Sequence, residues 1–221
     1  GEDMFFLSNG HISPMFYSIL AHRGYFPVAE LATFRRLGTR LQGHPTTAEG
    51  LPGVRVASGS LGQGLSVAVG VAQAKKLAND NHLVYVLMGD GEQEEGQIWE
   101  AAMYAPAKNV DNIVAIVDYN KKQIDGPTDD VLSLGDLRAK YESFGWKVWE
   151  CNGNDMQELV DTFNKIRENA HKGQSQILLA HTEMGMGVDF MMGTHKWHGV
   201  APNDEQAANA LSQLKETLGD Y

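Results

Sequence analysis

The sequence predicts an α/β fold, with an open, doubly wound sheet of parallel strands. Apolar runs that suit buried strands alternate along the chain with segments whose apolar residues recur at helical spacing. The clearest example is residues 83–122, which contain a strand, a Gly-Asp-Gly turn, a helix, a second strand and an Asp-Tyr-Asn turn. A length of 221 residues allows one substantial domain of this class.

This central unit also predicts where polar groups gather. Residues 83–88 are continuously apolar and rich in β-branched and aromatic types, as in strands buried on both faces. Residues 97–108 have apolar side chains at helical spacing, and residues 112–117 form a second apolar run. Because such a crossover makes its two strands parallel, Asp90 and Asn120 should lie at the same edge of the sheet.

The segments on either side continue the alternation. Ser13 and Pro14 indicate a helix start, as a cap and a first-turn proline, and Gly24 ends that helix. Apolar residues spaced three apart from Val28 to Leu37 predict a second helix. The other predicted elements are a strand-like piece at 5–7, helices at 137–144, 155–171 and 203–218, and strands at 146–151 and 176–182.

Three segments, 38–60, 121–135 and 185–199, lack a regular period and are rich in glycine. Long ordered loops in domains usually carry function. Residues 58–64 form a glycine-rich entry to a long helix, where free N–H groups and the helix dipole favour an anion. Packing is the alternative, since Gly70 and its small neighbours would let another helix come close.

Composition excludes several classes of function. The chain has 18 Lys and Arg against 28 Asp and Glu, a formal charge of −10, which makes nucleic acid and anionic membranes poor partners. No apolar run approaches the roughly twenty residues that span a bilayer. The single cysteine, Cys151, lies in a predicted strand and suits a core residue in a reducing compartment. We therefore expect a soluble, cytoplasmic protein.

The first residues indicate that the natural chain is longer. The strand-like residues 5–7 follow Gly1 almost at once. Domains seldom open inside a secondary-structure element, so we expect further residues before Gly1.

Oxygen ligands follow both central strands. The Asp90 carboxylate and the Asn120 amide oxygen are ligands that magnesium or calcium prefers, but two ligands leave most of an octahedral shell empty. A diphosphate would supply the missing oxygens, and Gly89 and Gly91 would let it approach the backbone closely. The spacing resembles the thiamine diphosphate fingerprint of Gly-Asp-Gly, about thirty residues, then Asn. Two strands that merely end in ordinary turns are the alternative.

Histidines provide the second candidate group. Four of the eight lie in glycine-bounded loops: His11, His44, His195 and His198. Near neutral pH, imidazoles suit a site that handles sugar hydroxyls and phosphates, as donors and proton carriers. Zinc binding is the weaker alternative, because only His195 and His198 have a spacing that approaches a ligand pair.

Ordered motifs along nearly the whole chain resemble transketolase. They occur at residues 8–11, 43–45, 51–54, 59–64, 89–91 with 95–96, 118–120, 124–126, and 193–195 with 198–199. The resemblance implies a PP-type, diphosphate-binding domain over residues 1–202, followed by a tail helix at 203–221. It is strongest to the split form of the enzyme, in which this half is a separate polypeptide.

The resemblance also implies roles, position by position. The metal ion, magnesium or else calcium or manganese, would be held by Asp90, Asn120 and the backbone carbonyl of Lys122. The implied contacts to thiamine diphosphate are His11, Gly59, Ser60, Leu61, Gly89, Gly91, Glu95, Asn120 and His195. The implied catalytic residues are His11, His44, His195 and His198. Glu95 and Glu100 match the acidic pair that links the two cofactor sites of the family's dimer.

The implied activity is transfer of a two-carbon ketol unit from a ketose phosphate to an aldose phosphate, in the pentose phosphate pathway. A separate pyrimidine-domain subunit would complete an α2β2 assembly. The glutamate that activates the aminopyrimidine and the arginines that bind substrate phosphate belong to that domain, so this chain should be inactive alone. Two departures stand out: Ser60 replaces a common proline, and the family's early Ser-Gly-His-Pro element would precede Gly1.

Two alternatives stay open. A 1-deoxyxylulose-5-phosphate synthase is a related enzyme, although retention of the motifs at 43–45 and 193–195 disfavours it. A cofactor-binding chain without activity is the other, and the intact Asp90 and Asn120 disfavour it.

Overall fold

Seven strands are present in the computed structural model, which describes residues 1–214. They are β1 (Met4–Leu7), β2 (Val84–Gly89), β3 (Ile113–Tyr119), β4 (Lys122–Gln123), β5 (Gly126–Pro127), β6 (Lys147–Asn152) and β7 (Gln176–His181). Five of them form one parallel sheet in the order β1-β2-β3-β7-β6, while β4 and β5 form a short antiparallel pair.

The helices alternate with these strands. They are α1 (Ser13–His22), α2 (Gln63–Leu77), α3 (Gly96–Ala107), α4 (Thr128–Leu132), α5 (Leu137–Ser143), α6 (Met156–Glu168) and α7 (Asp204–Gln213). Short 3-10 helices occur at Gly10–Ile12, Val28–Thr33, Thr47–Glu49 and Gly91–Glu94. Within residues 1–214, we find no helix with the length and apolar character needed to cross a bilayer.

Apolar side chains cover both faces of the sheet. Ile113, Ala115 and Val117 of β3 pack in a core with α2, α3 and α5, whereas Val114 packs in a second core with Ile166 of α6. Successive residues of a strand point to opposite faces, which is why residues 113–117 of β3 are all apolar. The predicted open, doubly wound parallel sheet is confirmed. Cys151 is buried in the second core, as expected.

The register of the sheet fixes the position of the site. Leu7 of β1 pairs with Leu87 of β2, and Gly89 of β2 pairs with Asp118 of β3. Since the three strands are parallel and adjacent, the residues that follow them emerge together at one edge. The residues after β2 and β3 include Asp90 and Asn120, so the predicted juxtaposition is present.

The second predicted helix is wrong in type and length. Only Val28–Thr33 is helical, and it is a 3-10 helix. The apolar residues recur at an interval of three positions from Val28 to Leu37, which is the period of a 3-10 helix and not of an α-helix. Such helices rarely extend, and Leu37 is fully exposed beyond the end.

The expected packing role of Gly70 is also wrong within the described part of the chain. A Cβ atom placed there would meet nothing within 4 Å. Gly64, another of the small residues expected to allow close packing, does have a close approach, because its Cβ would lie 2.4 Å from the Ser8 side chain. Part of the predicted tail helix forms as α7, and residues 215–221 of that prediction lie outside the described residues.

Candidate functional site

A cavity of about 470 Å³ opens at the carboxyl edge of the sheet. Its walls come from five places: the residues after β1, Leu61 just before α2, the segment between β2 and α3, the residues after β3, and the loop after β7. Parallel sheets of this kind bind ligands beyond the carboxyl ends of their strands. The cavity is therefore the candidate active site.

The structure gathers many of the residues singled out by sequence around this cavity. Those in its lining are His11, Leu61, Gly89, Asp90, Gly91, Glu95, Asn120, Lys122 and His198. They belong to different segments of the chain, so the sheet topology is what brings them together. The lining also includes Asn9, Asp118 and Trp197, for which the sequence suggested no role or only a minor one.

Other singled-out residues lie outside this lining: Gly59, Ser60, His44, His195 and Glu100. His44 borders a separate, more open cavity with Arg35 and Gln42. A Cβ at Gly59 would lie 3.2 Å from the His44 ring, so these two residues pack together. The His195 carbonyl accepts a hydrogen bond from the His198 backbone N–H at 2.9 Å. Glu100 is exposed on α3.

Asp90 is buried at the base of the cavity. One of its carboxylate oxygens accepts a hydrogen bond from the Gly91 N–H at 2.7 Å, and the other accepts one from the Lys121 N–H. Burial raises the pKa of Asp90 to about 6, although the two backbone donors oppose this shift and the nearby Asp118 charge adds to it. The two backbone hydrogen bonds therefore do not fully compensate the ionised carboxylate of Asp90 for its burial.

The oxygens around Asp90 fit a hard divalent cation. Each carboxylate oxygen has further lone-pair capacity, and the Asn120 Oδ1 accepts only the Lys122 N–H, at 2.9 Å, among the bonds found within residues 1–214. In that same range, no group of three or more His, Cys, Asp or Glu residues has a metal-binding arrangement. A cation held here would therefore rely on Asp90, amide and carbonyl oxygens, and oxygens of a bound ligand.

Asn9 offers a second group that a ligand in this cavity would satisfy. It is 1% exposed, and its Oδ1 has no hydrogen-bond partner among the described residues. A buried acceptor without a donor is costly, of the order of 1–3 kcal/mol. Because Asn9 lines the cavity, a bound donor would satisfy it. The residues present fit a metal-bound diphosphate cofactor with its own donor groups.

Two histidine rings lie next to each other in the cavity lining. The ring centroids of His11 and His198 are 5.2 Å apart. Desolvation lowers the pKa of both imidazoles; repulsion from His198 and His44 lowers the pKa of His11 further, while Asp118 opposes the shift in both. Both rings are therefore neutral near pH 7, when each can donate one hydrogen bond and accept another.

Glu92 is the main site residue that sequence inspection missed. It is 2% exposed and lies in the cavity lining. One carboxylate oxygen accepts hydrogen bonds from the Ser8 hydroxyl and from the Gly62 N–H at 2.7 Å. The other accepts the Gly89 N–H at 3.1 Å. Burial raises the pKa of Glu92, and these three donors counter the shift.

Glu183 connects the loop after β7 to the turn after β3. Its Oε1 accepts hydrogen bonds from the Lys122 Nζ at 3.1 Å and the Gly193 N–H at 2.7 Å. Within the same loop, the Trp197 indole donates to the Phe190 carbonyl at 2.9 Å. These contacts hold the loop that carries His198, and no local pattern in the sequence indicates them.

Comparisons with known proteins cover almost the whole chain. Residues 1–219 match the family described as transketolase, thiamine diphosphate binding domain. One subunit of the apulose-4-phosphate transketolase of Phocaeicola vulgatus is 41% identical over 217 residues, which are 98% of this chain and 76% of the relative. The 6-deoxy-6-sulfo-D-fructose transketolase subunit SqwG of Clostridium sp. is 37% identical over 215 residues, 97% of this chain and 77% of the relative.

Solved structures agree with these relatives. The transketolase from Leishmania mexicana superposes with a TM-score of 0.88 at 30% identity, covering 99% of this chain. The match covers 35% of the Leishmania chain, so the present chain spans about a third of that protein.

Proposed function

Since the chain belongs to the transketolase family, as its thiamine diphosphate-binding domain, we propose that it is the N-terminal subunit of a split transketolase. The enzyme would move a two-carbon ketol unit from a ketose phosphate to an aldose phosphate. The observation that carries this proposal is the placement of Asp90 and Asn120 in one cavity with the unpartnered oxygen of Asn9. Residues 1–202 would form the diphosphate-binding domain, and the segment from residue 203 its tail.

The same cavity supports a proposed set of cofactor contacts. Asp90, Asn120 and the Lys122 carbonyl would hold magnesium. The proposed contacts to thiamine diphosphate are His11, Gly59, Ser60, Leu61, Gly89, Gly91, Glu95, Asn120 and His195. Bound thiamine diphosphate would supply the carbanion chemistry of the reaction. The protein would orient it and exclude water from the cavity.

Histidines would handle the substrate's protons. His11 and His198 are the neutral pair at the cavity, so either can take a proton from a hydroxyl and return it. His44 and His195 would contribute from the rim, binding substrate hydroxyls. His44 already influences the pKa of His11, so the two rings are electrostatically connected.

A partner subunit would complete the site. Two similar proteins carry the name of a transketolase subunit, which supports a separate partner subunit. We propose that this partner carries the pyrimidine domain and that the two chains form an α2β2 assembly. Glu95 at the cavity and the exposed Glu100 of α3 would meet a second copy of this chain. The named substrates of those proteins are a ketose phosphate and a sulfonated ketose, so we expect a ketose with a terminal anionic group. We place the enzyme in the cytoplasm and its reaction among those of the pentose phosphate pathway.

Titration of thiamine diphosphate with Mg²⁺ into the chain plus its partner tests the cofactor site. Wild-type protein should show saturable binding. Asp90→Asn keeps the shape of the side chain but removes its charge, and should weaken binding at least about a hundredfold, since a charged ligand is lost. Asp161→Asn, at an exposed carboxylate on α6, serves as the matched control. Unchanged binding by Asp90→Asn would refute the metal assignment.

Activity of the mixed subunits then separates the three candidate functions. Ketol transfer from xylulose 5-phosphate supports the transketolase. Consumption of pyruvate in its place would favour the related synthase. Cofactor binding without turnover of either substrate would favour a non-catalytic chain.

A further inference from the structure

Glu92 joins three segments that border the cavity. Its carboxylate accepts hydrogen bonds from Ser8, which follows β1, from Gly62, which precedes α2, and from Gly89, the last residue of β2. The Ser8 hydroxyl also accepts the Gly64 N–H at 3.1 Å. A buried carboxylate with three donors is thus the shared partner of three chain segments that are distant in sequence.

This arrangement changes the role expected of the α2 N-terminus. One of the two interpretations of the sequence is that the glycine-rich entry binds an external anion through its free N–H groups. In the structure, Gly62 donates to Glu92, and Gly64 donates to the hydroxyl that Glu92 binds. A negative charge near the first turn of a helix is favourable. The chain therefore supplies its own anion at this terminus.

Two glycines allow the segments of this junction to come into close contact. Gly62 has φ +85°, and a Cβ there would lie 2.8 Å from the Cβ of Glu95. A Cβ at Gly64 would lie 2.4 Å from the Ser8 side chain and 2.9 Å from its Cα. Distances under 3.0 Å between such atoms are clashes. The segments are in direct contact, and Leu61, beside Gly62, extends into the cavity lining.

We propose that Glu92 is a positioning residue of the cofactor site. Its carboxylate ties the start of α2 to the ends of β1 and β2, and so sets Leu61 in the same lining as Asn9 and Asp90 before any ligand arrives. The proposal rests on the proposed function, because it takes the cavity to be the thiamine diphosphate site. Glu92 acts through the backbone that it holds, and no contact with the reacting atoms is required of it.

Glu92→Gln tests this role with minimal change in volume. The amide keeps one acceptor oxygen but turns an NH₂ group toward backbone donors, so at least one N–H loses its partner. In the full chain without cofactor, the amides of residues 59–64 should exchange hydrogen at least about tenfold faster than in the wild type. With Mg²⁺ and the partner subunit present, the dissociation constant for thiamine diphosphate should rise at least about tenfold.

Asp111→Asn is the matched control. Asp111 is also a buried carboxylate, with bonds from the Lys76 Nζ at 2.6 Å and the Gly173 N–H at 3.0 Å, but it precedes β3 at the opposite edge of the sheet. Asp111→Asn should lower the melting temperature without changing cofactor affinity or exchange at residues 59–64. Ser8→Ala removes one of the three donors and should give a smaller effect than Glu92→Gln, which keeps the test available if that variant folds poorly.

The outcomes separate this inference from the proposed function. Normal exchange at residues 59–64 in both Glu92→Gln and Ser8→Ala overturns the positioning role, whether or not the wild type binds cofactor. Equal loss of cofactor affinity in Asp111→Asn overturns it as well, because the effect would then reflect general destabilisation. A wild-type complex that binds no thiamine diphosphate refutes the proposed function instead.

Discussion

The cavity has a floor and a rim that differ in how they are held. The floor consists of residues 8–9 and 89–93, where the buried polar groups other than the unpartnered Asn9 Oδ1 bond to one another and to the backbone. We call the surrounding loops, which carry His44, His195 and His198, the rim; of these three residues only His198 lies in the cavity lining, and His44 borders the separate, more open cavity. His44 is exposed, and the other two are half-buried in a glycine-rich segment.

The difference indicates that the floor suits the cofactor and the rim suits the substrate. A cofactor that stays through many reaction cycles needs fixed contacts, which buried and bonded groups provide. A substrate that enters and leaves needs accessible side chains, which loops provide. We therefore expect substitutions in the floor to change stability strongly and those in the rim to change mainly activity.

The largest effect is expected for Gly64→Ala, on the helix that abuts the floor. The new methyl group would clash with Ser8, and the free energy of unfolding should fall by about 3 kcal/mol or more. Gly70→Ala in the same helix is the control: it meets no atom within 4 Å and should raise stability by about 0.5–1 kcal/mol. Denaturant unfolding measures both. Equal effects of the two would contradict the close contact at the floor.

Tyr141→Phe should weaken the hydrogen bonds that support the floor from the protein interior. The buried Tyr141 hydroxyl donates to the Gln93 Oε1 at 2.6 Å, and the Gln93 amide donates to the Gly89 carbonyl at 2.9 Å. Removing the hydroxyl leaves a buried acceptor unpaired, at a cost of about 1–3 kcal/mol in unfolding free energy. Tyr104→Phe, which removes an exposed hydroxyl bonded to Gln73, should cost under about 0.5 kcal/mol. A reversed order of these losses would count against the buried network.

The pH dependence of stability should carry a contribution from His198 at the rim. Its pKa in the folded protein lies below the ordinary value of 6.5, so the unfolded chain binds the proton more tightly. The contribution to stability is fully present above about pH 6.5 and is lost as the pH falls toward the lowered pKa.

His198→Gln should remove that contribution. Below about pH 6.5 the unfolding free energy of the variant should fall less steeply than that of the wild type, by up to about 1.4 kcal/mol per pH unit. Chemical denaturation at several pH values between about 5 and 8 measures the slopes. Parallel curves would show that His198 does not titrate differently on unfolding.

The smallest change in stability is expected for His44→Gln. The side chain is exposed and packs against Gly59, so the unfolding free energy should stay within about 0.5 kcal/mol of the wild type. Ketol transfer by the complete enzyme should nevertheless fall, by about a hundredfold if His44 moves a proton. A loss of more than about 1 kcal/mol in unfolding free energy, with activity retained, would show that His44 supports the fold and not the reaction.

Much of the floor could be predicted from the sequence, because its signals are local. Continuous apolar runs predicted β2 and β3, and the rule for parallel strands then brought Asp90 and Asn120 together. Glu92 had no such signal: its bond to Ser8 spans 84 positions, and along the chain it is one acidic residue beside Glu94 and Glu95. Only the folded sheet distinguishes it from these less buried neighbours.

The rim was harder to predict for a different reason. Glycine-bounded loops have no period, so the sequence identified His44 and His195 as candidates without fixing where their rings lie. In the structure, neither belongs to the lining that His11 and His198 share. The Val28–Thr33 segment shows the same limit, since apolar residues three apart fit more than one kind of helix.

Because Glu92 supplies a carboxylate at the N-terminus of α2, we expect the chain to fold without bound cofactor. If the N-terminus of α2 depended on a bound diphosphate for its negative charge, the helix would be less stable in a cell short of that coenzyme. The chain would then be exposed to proteases. Here the counter-charge is encoded in the polypeptide, so we expect newly made protein to mature and persist empty. The supply of coenzyme would then determine how many molecules are active, without changing how many remain intact.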